Sequence, residues 1–134
     1  STNTTLTDIP GASLTLDANS TYYVAFALID SSSSTAGNKW AMTAPSGASG
    51  SVFGFQTTST TTLQFPFVYA TASFGTLYST ATNNMITNLG QVNGQGYITT
   101  TTGGTLKLGM AKVTSGTFKV KANSIIMAYK LSGF

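Results

Sequence analysis

Apolar residues recur at a period of two along nearly the whole chain, and no stretch keeps 3.6-residue spacing for the three or so turns a packed helix needs. Turn signals punctuate the pattern at roughly 8- to 12-residue intervals, as in sandwiches and barrels. They are Pro10-Gly11, 17–20, 31–37, 45–50, Asn83-Asn84, Asn93-Gly94, Gly103-Gly104 and Ser115-Gly116. Strands are expected over 5–9, 13–16, 21–30, 38–44, 51–56, 61–70, 76–79, 96–101, 105–113, 117–122 and 124–131. The fold class that follows is all-β: an antiparallel two-sheet β-sandwich, jelly-roll-like, with about 8–10 strands. At 134 residues it is expected to be a single domain, 1–134, with a polar arm over 1–5.

Individual strands carry further detail. Gly103-Gly104 reads as a two-residue hairpin, since Gly accepts the positive φ angles of a tight turn. After it, Leu106, Leu108 and Met110 share one face, opposite Lys107, Gly109 and Ala111. In 117–122, Phe118 and Val120 oppose Lys119 and Lys121. Pro66 cannot donate to a ladder, so its strand is an edge or is bulged. The segment 90–96, GQVNGQG, reads as a loop.

Two strands are apolar on both faces. In one, Tyr22, Val24, Phe26 and Leu28 oppose Tyr23, Ala25, Ala27 and Ile29; in the last, Ile125, Met127, Tyr129 and Leu131 oppose Ile126, Ala128 and Lys130. Only one face of each sheet in a sandwich looks inward, so an apolar outer face needs a second cover, most simply another subunit. Tyr23, Ala25, Ala27, Ile29, Ile126 and Ala128 are the expected self-association residues.

Composition removes most chemistry. The chain has no His, Cys, Arg or Glu, and its charged side chains are three Asp and six Lys beside 25 Thr, 16 Ser and 14 Gly. Disulfides, thiolates, zinc-thiolate sites and the usual general base are absent together. No Ser-x-x-Lys pattern marks an activated nucleophile, and three Asp supply glycoside hydrolysis poorly. Asp17-x-Asn19 reads as an Asx-type turn rather than a calcium loop. The expectation is no enzyme, no cofactor and no metal. Without Arg, nucleic acid is not an expected partner, and with no apolar run near ~18 residues neither is a membrane. The charges read as solvated, with Lys107, Lys119 and Lys121 as the candidate docking set. So few carboxylates imply only slight loss of stability from neutral to mildly acidic pH.

Residues 6–29, LTDIPGASLTLDANSTYYVAFALI, form a short strand, a Pro-Gly turn and an Ala-Asn-x-x-Tyr entry into a long apolar strand. With the ending GTLKLGMAKVTSGTFKVKANSIIMAYKL and the segment KWAMTAPSG at 39–47, this resembles the small β-sandwich domains of tailed-phage and other virion structural proteins. Where those often carry Ala-Gly-Ser before the final strand, this chain has Ala122-Asn123-Ser124, and Asn tolerates the same left-handed turn. The segment 51–91 carries no such likeness. The resemblance implies a homo-oligomer, most simply a trimer, that binds other virion proteins as a capsid decoration or the head of a spike or fibre, and is located in the virion. The alternative is a secreted carbohydrate-binding module that stacks Trp40, Tyr78 and Tyr97 on a host-surface glycan.

Overall fold

The computed structural model describes residues 5–32, 38–57, 63–70, 78–79, 90–112 and 116–131. They form two antiparallel sheets. The smaller sheet is ordered β1 (Thr7–Leu16), β8 (Gly104–Lys112), β3 (Asn38–Thr43), β6 (Tyr78–Ser79). The larger is ordered β10 (Ile125–Leu131), β2 (Ser20–Ser32), β7 (Gly90–Thr100), β4 (Ser49–Thr57), β5 (Leu63–Ala70), and β9 (Phe118–Val120) extends β10 along the same edge of β2. Strand order 1-8-3-6 facing 2-7-4-5 is the double-sheet arrangement of a jelly roll. β9 and β10 are additions beside it.

The period-two pattern places the core. Tyr22, Val24, Phe26 and Leu28 point inward from β2, and Leu106, Leu108 and Met110 meet them from β8. Val24, Val52, Ile98 and Leu106 are completely shielded, each such burial being worth roughly 1.5–3 kcal/mol. Trp40 lies in the same core, with Phe118 edge-on to its ring at 5.1 Å. Its place there removes it from any surface stacking platform.

Several local expectations hold. β5 lies at a sheet edge, and its pairing with β4 shifts register between Phe55 and Gln56, beside Pro66. Asn123 takes φ 68° in the turn before β10, and Ser124 Oγ closes that turn on the Lys121 carbonyl while accepting from the Ile29 amide.

Three expectations are corrected. The strands expected over 5–9 and 13–16 are one bulged strand, β1, whose register shifts between Asp8 and Ser13, with Gly11 at φ 78°. The 90–96 segment is not a loop and Asn93-Gly94 is not a turn: both lie inside β7, paired with β2 on one side and β4 on the other. Its glycines serve close approach, since a side chain on Gly96 would meet the backbone of Ser51 and Val52. Gly103-Gly104 makes no hairpin, because β7 and β8 belong to different sheets and the connection crosses between them. Of the turn expected at 31–37, residues 31–32 lie in β2; the rest of it, Asn83-Asn84, Ser115 and residues 1–4 of the polar arm lie outside the described residues.

Candidate functional site

Register fixes which residues share the outer face of the larger sheet. Paired residues point the same way, so three rows cross β10, β2, β7 and β4. They run Tyr129, Tyr23, Tyr97, Ser51; then Met127, Ala25, Gln95, Phe53; then Ile125, Ala27, Asn93, Phe55. Phe53, Phe55, Tyr97, Ile125, Met127 and Tyr129 are each between 40% and 65% exposed. Small and amide side chains occupy the centre, leaving a groove of about 420 Å³ with Ile125 and Met127 on one wall and Phe53 and Phe55 on the other. Tyr23 Oη donates to Gln95 Oε1 at 3.0 Å and packs edge-on to Tyr97 at 5.7 Å, which fixes the rim.

This geometry divides the expected self-association set. Tyr23, Ala25, Ala27 and Ile29 do lie on the outer face. Ile126 and Ala128 do not: they pair with Phe26 and Val24 and pack against the core. Their neighbours Ile125, Met127 and Tyr129 take the outer positions, the face being set by the register of β10 on β2. Phe53 and Phe55 were also missed, although their alternation with Gly54 in 53–55 was visible.

The lysines do not form one patch. Lys107, in the smaller sheet, pairs with Asp8 at 3.0 Å, whereas Lys119 and Lys121 lie exposed at β9 beside the larger sheet. Lys130 bridges Asp17 at 2.8 Å and holds that carboxyl below its usual range. Of the aromatic residues considered for stacking, Tyr97 is exposed, Trp40 is buried, and the Tyr78 side chain lies outside the described residues.

A second constellation lies between the sheets. Asp30 and Lys112 are not solvated: Asp30 continues the inward parity of β2 after Leu28, and Lys112 that of β8 after Met110, and both are buried. Asn38 and Gln56, on β3 and β4, are buried with them. Trp40 Nε1 donates to Gln56 Oε1 at 3.1 Å, and Gln56 Nε2 donates to Asp30 Oδ2 at 3.0 Å. Lys112 Nζ donates to Asn38 Oδ1 at 3.0 Å. Asp30 Oδ1 has no hydrogen-bond partner, and Gly90 is bare where a side chain would strike that oxygen.

Burial dominates the electrostatics here. Loss of water pushes the Asp30 carboxyl up to about 6, opposed by its bond from Gln56 and the charge of Lys112. Burial likewise pulls Lys112 below the ordinary lysine value, against the attraction of Asp30. One of the three side-chain carboxylates therefore moves stability opposite to the expected slight acid loss.

No family model, curated protein or solved structure matches the chain. Fold and site define its class: a jelly-roll β-sandwich with an apolar outer face and a buried polar cluster.

Proposed function

We propose that the chain is a virion structural protein, a jelly-roll domain that associates with copies of itself as a trimer and decorates a capsid or forms the head of a spike or fibre. The observation that carries this is the exposed apolar face spanning β10, β2, β7 and β4. Its six large side chains leave roughly half their surface in water, on the order of 600 Å². A monomer rarely exposes more in one patch, and a stable interface buries about 800 Å² per partner. The rows carry no charged side chain that a second copy would have to desolvate. Jelly rolls occur in capsid and lectin domains alike, so fold alone is analogy.

Sedimentation of the purified chain tests the reading. A trimer is expected, with Met127→Asp or Phe53→Asp yielding a folded monomer; a wild-type monomer at tens of micromolar refutes it. The groove favours a second reading, a carbohydrate-binding module, because the Phe53 and Phe55 wall beside Asn93 and Gln95 suits sugar rings with apolar faces and hydroxyl edges. Glycan-array binding abolished by Phe53→Ala, from a monomer, would select it.

A further inference from the structure

Asn38 and Lys112 are register partners on adjacent strands, and their side chains turn inward together. Nζ lies 3.0 Å from Asn38 Oδ1, with both residues at 0% exposure. An amine held this close to a carboxamide oxygen, with both side chains buried, sits one bond away from the carbon it would attack, and fixing reacting groups beside each other gains large effective molarities. On the facing sheet, Asp30 is buried at 1% exposure and couples electrostatically to Lys112. Its Oδ2 is held by Gln56 while its Oδ1 has no partner.

We infer that Lys112 and Asn38 join in an intramolecular isopeptide bond that the folded chain forms by itself, with Asp30 moving the protons. The step balances without an outside reactant. Once Lys112 Nζ and the open Asp30 Oδ1 approach to hydrogen-bond distance, Lys112 gives a proton to Asp30, leaving a neutral amine and a carboxylic acid. The Nζ lone pair attacks Asn38 Cγ, and the carbonyl π pair moves onto Oδ1. Nζ then loses a proton through Asp30 to Nδ2, the carbonyl re-forms, and the Cγ–Nδ2 bond breaks with its electron pair on departing ammonia. Nothing is oxidised or reduced; Asp30, left as the carboxylic acid, regains its carboxylate by giving that proton to the departing ammonia, which leaves as ammonium.

The electrostatics favour this course. Burial depresses the lysine toward the neutral, nucleophilic amine and raises the aspartate toward the acid that donates a proton. The product replaces a buried ammonium, costly to keep dry, by a neutral amide. It would tie β3 to β8 covalently in a chain with no cysteine.

Intact mass spectrometry of the purified full chain tests the inference. The expected mass falls short of the sequence mass by one ammonia, and digestion yields one branched peptide joining Asn38 to Lys112. Lys112→Met and Asn38→Ala should show no deficit, which separates the bond from succinimide formation at another asparagine. Asp30→Asn, folded by circular dichroism, should retain the unlinked mass or lose ammonia at least a hundredfold more slowly. Full sequence mass in the folded wild type, or a deficit that persists in Lys112→Met, overturns the inference. Because wild-type mass alone decides, a variant that fails to fold does not protect it.

Discussion

Acidification should stabilise this protein. Asp30 has a folded pKa of about 6 against 3.8 for an ordinary aspartate. Between those values the native state holds a proton that the unfolded chain has released, so stability falls as pH rises and is fully retained only below pH 3.8. At about 1.36 kcal/mol per pH unit the shift corresponds to roughly 3 kcal/mol. For a domain of this size that is on the order of 10 °C in Tm. The direction does not depend on the state of Lys112, because its charge lowers the Asp30 pKa and losing that charge raises it further. Asp17 acts oppositely: held down by Lys130, it contributes stability above the ordinary aspartate value that is lost below it, in a lower window. Thermal and urea unfolding at one protein concentration, from pH 7.5 to 4.5, should show the midpoint rising as pH falls. Asp30→Asn should flatten that rise. A wild-type midpoint that is level or declines over the interval would mean that Asp30 titrates as a solvated carboxylate, and the buried cluster as described would be wrong.

Other outcomes follow from single side chains. Phe118→Ala removes a fully buried ring from the edge of Trp40 and should cost about 3–5 kcal/mol, read by urea unfolding, with Trp40 fluorescence shifting red. Gly96→Ala drives a methyl into the β4 backbone and should cost about 3 kcal/mol, whereas Gly11→Ala meets open space and is limited to the strain of a positive φ, near 1 kcal/mol. Tyr129→Lys should shift sedimentation toward monomer while leaving the far-UV spectrum unchanged, since that ring is 65% exposed.

The two-sheet architecture was legible because burial on one face leaves a period-two record, and β8 carries that record clearly. What failed was choosing a face or a partner. In β10 both alternating sets are apolar, so only pairing with β2 shows that Ile126 points in and Ile125 out. Gly90, Gly94 and Gly96 looked like loop punctuation because glycine is common in turns; in β7 they let the Asp30 carboxylate, the Phe26 ring and the β4 backbone, in that order, approach closely. The Gly103-Gly104 hairpin failed for a topological reason, since local sequence cannot distinguish a turn within one sheet from a crossing between two. The buried cluster was within reach of the sequence. Extending the inward parity by one step after Leu28 and Met110 arrives at Asp30 and Lys112, but charged residues at strand ends are usually solvated and were read so.

That reading had good physical grounds, which makes the exception informative. The chain has nine charged side chains, three Asp and six Lys, and commits one of each to the interior. An apolar pair of the same volume would commonly stabilise the sandwich as well or better, because desolvating two ions costs several kcal/mol that their attraction barely recovers. Stability alone therefore does not account for Asp30 and Lys112. Their placement makes sense if the aspartate gains by being an acid and the lysine by being an amine, in contact with a carboxamide that can accept the nucleophile. Lys112→Leu paired with Asp30→Leu separates these explanations. A plain ion pair predicts that the double variant unfolds at a midpoint equal to or above wild type, while a covalent tie predicts a lower one, because the cross-link constrains the unfolded chain and its loss cannot be repaired by packing.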